Sequence, residues 1–257
     1  MFSQNNLVEL TECLACGCET LISVLDLGKQ PLANSFKDSK IEIQEEFPLA
    51  INHCKDCYHV QLTHAVNPDL LFKNYLYVSG TSDTMREHFK WFADYTTEAF
   101  RHTNKRGASD IFDIGCNDGS QLDQFKFRGL RTYGIDPAKN LYERSSKNHT
   151  VWCEYLNLDF YARNPFKFDI ITAQNVFAHN FDPVSFLQTI RNMMDEETLV
   201  FIQTSQADMI KNNEFDTIYH EHISFYNIKS MNELCKRMNL YLIDVNKCPL
   251  HGNSYIF

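Results

Sequence analysis

Asp113-Ile114-Gly115-Cys116-Asn117-Asp118-Gly119-Ser120 is the stretch on which the fold turns. It follows the strand-like run 110–115 and opens onto residues 120–127, which have helical spacing. Strand, glycine turn and helix in that order begin a βαβ unit. Further strand-like runs follow at 131–136, 150–155, 168–174, 198–204, 240–246 and 254–257. Helix-like runs sit between them at 139–146, 183–194 and 231–238, the last opened by a capping box, Ser230-x-x-Glu233. Upstream, Met85, Phe89, Phe92 and Tyr95 or Thr96 recur three and four apart, so 83–100 reads as a helix that the polar segment 104–109 ends. Alternating strands and helices predict an α/β fold with a Rossmann-like, seven-stranded, mostly parallel sheet and right-handed crossovers.

The glycine loop departs from the dinucleotide pattern. There the middle glycine of G-x-G-x-x-G lets the backbone approach a pyrophosphate. Here that position is Asn117, and the carboxylates of Asp113 and Asp118 flank it and repel a diphosphate. A cationic or zwitterionic ligand without phosphate fits better, and S-adenosylmethionine is such a ligand. Asp136 ends the next strand 21 residues after Gly115, where a ribose-binding acid belongs. The candidate cofactor residues in this region are therefore Asp113, Gly115, Asn117, Gly119 and Asp136, with Asn175 after the fourth strand. The competing readings are an ordinary strand-to-helix turn at Asp136-Pro137 and a strand-end cap at Asn175.

Ahead of this body lies a cysteine-rich head. Five of the nine cysteines fall in the first 57 residues, and an odd total cannot pair completely within one chain. Cys13-x-x-Cys16 and Cys54-x-x-Cys57 form two knuckles 37 residues apart, around a turn-former-rich segment at 26–38. Four thiolates so spaced close a tetrahedron around a structural zinc. A doubled loop costs only about 0.6 kcal/mol, against roughly 10 kcal/mol or more from the metal. Cys18, His53 and His59 are alternative ligands, and a set of buried or redox thiols is the alternative reading. Zinc on four thiolates takes the formal charge from -9 to about -11. That acidity, with no basic stripe, argues against nucleic acid as partner. No run of 18 apolar residues is present, and residues 1–10 lack the features of a signal peptide, so a cytoplasmic protein is expected.

These motifs together resemble a known family. Cys13-x-x-Cys16, the run Val24-Leu-Asp-Leu-Gly-Lys-Gln-Pro-Leu-Ala-Asn34, Cys54-x-x-Cys57 and Tyr75-x-Tyr77-x-Ser79-Gly80 are similar to the N-terminal region of zinc-containing sugar C-methyltransferases. Residues 113–119 resemble their S-adenosylmethionine loop, and Phe215-Asp-Thr-Ile-Tyr219-His220-Glu221-His222 their active-site signature. The resemblance implies a class I methyltransferase body over residues 76–257 behind a zinc-binding domain over residues 1–75. It implies that Tyr77 and Ser79 approach the cofactor, with an interdomain seam as the other reading of the Phe72–Tyr77 aromatics. It also implies a nucleotide-linked deoxy-keto sugar as substrate. The family continues into a further C-terminal domain, whereas this sequence stops at Phe257.

Carbon methylation next to a ketone needs a base and a group that stabilises the enolate oxygen. Histidine suits the base, and His222 is the candidate, as the resemblance also implies. Glu221 and Tyr219 are the expected helpers, and His179 is placed toward the substrate because it follows the fourth strand. A metal pair at His220 and His222, and packing roles for Tyr219 and Tyr226, are the alternatives. Two other functions remain open: O-methylation of a sugar or small molecule, and a non-catalytic module or subunit that takes the missing domain from a separate chain.

Overall fold

The computed structural model describes residues 6–37, 39, 41–205, 208–250 and 253–257. The first five residues of the leader reading, Asp38 of the turn-former segment, and His251 and Gly252 of the closing turn lie outside the described residues. In chain order the strands are β1 (Leu7–Glu9), β2 (Leu21–Pro31), β3 (Glu46–Cys54), β4 (Val60–Leu62), β5 (His64–Val66), β6 (Asp110–Ile114), β7 (Arg131–Ile135), β8 (Thr150–Trp152), β9 (Ile170–Gln174), β10 (Leu199–Thr204), β11 (Ser224–Phe225), β12 (Asn246–Cys248) and β13 (Ser254–Ile256). The α-helices are α1 (Pro68–Phe72), α2 (Asp83–Asn104), α3 (Ser120–Phe127), α4 (Lys139–Ser145), α5 (Leu158–Arg163), α6 (Pro183–Asn192), α7 (Met209–Asn212) and α8 (Ile228–Arg237). Contacts divide the chain into two units. One holds the described residues up to Leu71 with Phe177–Val184 and Thr204–Phe257; the other holds Phe72–Val176 and Ser185–Gln203. The sequence-based boundary at 75 cuts the chain once, whereas the first unit is assembled from three separate segments.

The second unit carries the α/β body. Five strands run parallel in the order β10-β9-β6-β7-β8. Their apolar runs are continuous because both faces of a parallel sheet are covered: Ile111, Phe112, Ile170 and Ile171 are fully buried. Phe112 stacks on Phe168 at 4.9 Å and on Phe160 at 6.2 Å, which packs α5 against β6. Helix α2 begins where the Ser82 hydroxyl accepts from Met85 N, and it buries Met85, Phe89, Phe92, Ala93, Thr96 and Phe100. Lys105 ends it in the left-handed region, with its N–H on the Arg101 carbonyl.

The first unit holds a four-stranded antiparallel sheet in the order β11-β4-β3-β2, the pair β1-β5 and the hairpin β12-β13. Its core is Leu10, Leu49, Ile51, Leu62, Ala65, Ile218, Ile223 and Phe225. Three details differ from the sequence-based expectation. The first part of the segment read as turn formers, 26–31, is the end of the long strand β2, which tolerates Gly28 through register shifts between Ser23 and Leu25 and between Asp26 and Lys29. Residues 240–245 do not form the expected strand. Asp244 accepts there from Val245 N at 2.9 Å and from Asn246 Nδ2 at 2.8 Å, and such local bonds compete with a ladder. Helix α8 starts three residues early. Asn227 is its cap and Ser230 the reciprocal partner, so the expected capping box exists one turn upstream.

Candidate functional site

Four sulfurs define the first unit's metal-binding geometry. Cys13, Cys16, Cys54 and Cys57 place their thiols within 4.8 Å of one another, the only such group of three or more metal-capable side chains among the described residues. Cys13 and Cys57 are 3.6 Å apart and Cys16 and Cys54 are 3.5 Å apart. Four thiolates on a tetrahedral zinc at about 2.3 Å would stand roughly 3.8 Å apart, so the set fits. Bonding to Cys57 draws the Cys13 thiol down to about 5, and the same contact, with burial, pushes Cys57 up. The alternative ligands lie elsewhere. Cys18 Sγ accepts from Thr20 N, His53 stacks on Tyr58, and buried His59 bonds the Ser224 hydroxyl. Gln61 braces the first knuckle, accepting from Leu14 N at 2.8 Å and donating to the Glu12 carbonyl at 2.9 Å.

The second knuckle leads into β4, and β4 pairs with β11 at Val60–Phe225 and Gln61–Ser224. Immediately ahead of β11 lie the catalytic candidates. His222 Nδ1 is 2.8 Å from the Thr217 carbonyl, which can only accept, so Nδ1 carries the hydrogen. Nε2 then presents its lone pair, 3.1 Å from the Tyr219 hydroxyl, which donates to it. Burial, with the nearby Glu221 charge, pushes the Tyr219 phenol up, so it stays protonated. Glu221 is buried and its Oε1 accepts from Asn34 Nδ2 at 2.5 Å. The His179 ring lies 5.2 Å from that of His222, and burial and His222 together hold it well below its ordinary pKa. The Ala178 carbonyl accepts from Ile223 N at 2.9 Å, which ties the two histidine segments together. His220 is turned away: its Nε2 donates to the Phe47 carbonyl at 3.2 Å, so the H-x-H pair does not converge. Tyr226 stacks on Phe177 at 4.9 Å as a packing aromatic.

The cofactor candidates all fall in the second unit and form one connected structure. Gly115 has φ +72, and a Cβ there would lie 2.2 Å from Val176 Cγ2, so no other residue fits. Asn117, at φ 49, donates from Nδ2 to the Tyr77 carbonyl at 3.0 Å and accepts at Oδ1 from Ser79 N at 3.0 Å. The 77–79 segment is thereby pinned to the glycine loop. Gly80 comes so close that a Cβ would stand 2.1 Å from Ser120 Oγ. Asp136 accepts from Asn117 N at 2.9 Å on one oxygen and from Ala138 N at 2.8 Å on the other. Each oxygen keeps a lone pair, which is what two ribose hydroxyls need. Asn175 Oδ1 is buried without a partner at the end of β9, a vacant acceptor where sheet ligands bind.

Asp118 is an ion-pair partner of Arg144 at 3.0 Å and also accepts from Gly80 N and Ser120 N. Asp113 is buried against the Thr172 hydroxyl at 2.6 Å, and burial holds its carboxyl up at about 7. The repulsion of a diphosphate therefore falls mainly to Asp136, and the steric block by the folded-back Asn117 counts for more. Sequence reasoning missed Asn34, Thr217 and Arg144. Asn34 closes one of the quoted runs, so it was readable; the Thr217 carbonyl and the Arg144 pairing carry no sequence signal.

The family described as "Putative zinc binding domain" matches residues 13–72, and the family described as "Methyltransferase domain" matches residues 85–245. C-methyltransferase NovU of Streptomyces niveus is 27% identical over 255 residues, covering 96% of this chain and 60% of that protein. A ubiquinone biosynthesis O-methyltransferase of Glaesserella parasuis serovar 5 (strain SH0165) is 29% identical over 112 residues, 40% of this chain and 48% of that one. The chain thus spans less than two thirds of either relative. Among solved structures, the plantazolicin methyltransferase BpumL in complex with SAH aligns with a TM-score of 0.52 at 16% identity, covering 65% of this chain and 70% of that chain. An S-adenosylmethionine-dependent methyltransferase from Clostridium acetobutylicum ATCC 824 aligns with a TM-score of 0.53 at 13% identity, covering 65% and 90%. At such identities the likeness is one of fold, the class I methyltransferase fold.

Proposed function

We propose that this chain, which belongs to the methyltransferase-domain family, transfers a methyl group from S-adenosylmethionine to a carbon beside a keto group of a nucleotide-linked deoxysugar. The observation that carries this reading is the Tyr219–His222 pair. Its geometry gives a histidine with a defined lone pair next to a phenol held in its protonated form. Bound S-adenosylmethionine would supply an electrophilic methyl on a sulfonium. His222 Nε2 takes the proton from the carbon beside the ketone. The Thr217 carbonyl, on Nδ1–H, supports the imidazolium that results. Tyr219, turning its hydrogen from Nε2 to the ketone oxygen as the substrate enters, frees the Nε2 lone pair and donates to the enolate oxygen, and Glu221, oriented by Asn34, sets the polarity around it. Asp136 and Asn175 hold the donor, with Gly115, Gly119, Asp113, Asn117, Tyr77 and Ser79 shaping the loop that receives it. Cys13, Cys16, Cys54 and Cys57 hold a structural zinc with no open position for chemistry.

The likeness to NovU supports carbon as the acceptor, and the motif resemblance supports the nucleotide sugar. The shorter likeness to an O-methyltransferase motivates the second reading, methylation of a hydroxyl. The two separate on one experiment. The protein is incubated with methyl-labelled donor and a panel of nucleotide-linked deoxy-keto sugars, and the product is examined by carbon NMR. A carbon-bound methyl is expected; an oxygen-bound methyl would replace the reading.

A further inference from the structure

The side chains of His88, Gln121, Gln174 and Gln203 form a polar circuit in the second unit that the chemistry above does not use. Gln203 is fully buried, and His88 and Gln121 nearly so. Gln174 ends β9 and stands in register with Gln203 of β10. Gln174 Oε1 and Gln203 Oε1 lie 3.1 Å and 3.0 Å from the same atom, His88 Nε2. Amide oxygens only accept, so Nε2 carries its hydrogen and shares it between them. Gln174 Nε2 donates to Gln121 Oε1 at 2.9 Å, and Gln121 Nε2 donates to the Phe89 carbonyl at 3.1 Å. The circuit therefore leaves α2 at His88, crosses β9 and α3, and returns to α2 at Phe89.

His88, Gln121 and Gln203 are buried and Gln174 is half-buried, and Gln203 Nε2 finds no partner among the described residues; burying such groups is costly, and apolar residues would pack this seam more simply. The circuit's position explains their presence. Gln174 is followed directly by Asn175, which turns the chain off the strand end at φ 54. Asn175 N donates to the Gln203 carbonyl at 2.9 Å, and its Oδ1 is the buried acceptor without a partner. Gln174, just before the turn, bonds His88 through its side chain, and Asn175 itself donates to the backbone carbonyl of Gln203, whose side chain bonds the same His88 nitrogen.

We propose that His88 is a positioning residue for the methyl donor: through Gln174 and Gln203 it fixes the turn that presents Asn175 to the donor. The inference rests on the donor-binding part of the proposed function and is independent of the substrate. His88 acts through its neighbours and does not touch the donor.

The test is a double-variant cycle read by calorimetric titration with S-adenosylhomocysteine, with thermal unfolding measured alongside. His88→Leu is expected to weaken binding at least about tenfold, and His88→Asn, which keeps a donor, to recover part of the loss. Combined with Asn175→Ala, His88→Leu is expected to weaken binding no further than Asn175→Ala alone, because its effect passes through Asn175. A purely structural histidine would lower the unfolding temperature and leave the affinity of the folded protein unchanged, which would overturn the proposal. Full additivity of the two losses would overturn it as well. If His88→Leu does not fold, Gln203→Leu takes its place in the cycle with the same expectations. Failure of the unaltered protein to bind S-adenosylhomocysteine would overturn the donor reading itself, and that result is distinct from equal affinities in wild type and variants.

Discussion

His222 is fixed at both nitrogens, and this decides what each substitution near it should do. Removing the ring in His222→Ala takes away the base, and a positioned base is worth about 10²–10⁴ in rate. Turnover should fall by at least about a hundredfold while S-adenosylhomocysteine affinity, measured by calorimetry, stays near wild type. Tyr219→Phe keeps the ring and loses the donor to Nε2, so a smaller drop, roughly ten- to a hundredfold, is expected. A loss of donor affinity in either variant would make the residue structural. Asp113 carries a different prediction. Folded, it holds its proton to about pH 7; unfolded, it releases it near 3.8. The stability it contributes is therefore full below the unfolded value and is lost as pH rises through the folded one. Asp113→Asn removes that dependence. Its stability relative to wild type in urea should rise by the order of 3 kcal/mol between about pH 4 and pH 8. A constant difference would contradict the buried placement of this carboxyl.

Among the elements, β4 and β11 matter most, because they join the second cysteine knuckle to the residues just after His222. Losing the metal should loosen β3, β4 and β11 together. Cys57→Ser is expected to lose one equivalent of zinc by elemental analysis and to lose turnover at least about a hundredfold. Donor affinity should be retained, since the residues proposed to hold the donor lie in the other unit. Retained turnover without zinc would contradict the scaffold role. The parallel strands and helices α2, α3, α4, α6 and α8 were legible because continuous apolar runs and 3.6-residue periodicity report burial directly, whereas α1, α5 and α7 are too short to show a period. Helix α3, at Ser120–Phe127, falls where the spacing puts it. Strand β2 was hidden: its side chains are mostly exposed and Gly28 and Pro31 imitate a loop, so only its pairing with β3 makes it a strand. Strand β3 does carry a period-two signal in Phe47, Leu49 and Ile51. Residues 240–245 show the opposite failure, a nearly continuous apolar run that reads as a strand but leaves Tyr241 and Ile243 exposed and outside any strand. At the site, residue types were readable, but backbone partners such as the Thr217 carbonyl were not.

At the scale of the whole molecule, the first unit gathers both the cysteines and the catalytic candidates from segments far apart in sequence, and the second holds the candidate donor residues. No helix among the described residues is long and apolar enough to cross a membrane. The net charge of -9 means that a nucleotide handle would be met by a few local donors rather than by a basic face. Removal of a proton from carbon is the step that sets carbon methylation apart from methylation of a hydroxyl. The most direct measurement is hydrogen exchange in D₂O. The protein is saturated with S-adenosylhomocysteine, so that no methyl can transfer, and mixed with a nucleotide-linked deoxy-keto sugar. Deuterium should then enter the sugar at the carbon beside the ketone, and His222→Ala should stop it. Methyl transfer by the active protein with no such exchange, or exchange that survives His222→Ala unchanged, would contradict the assignment of His222 as the base of a carbon methylation.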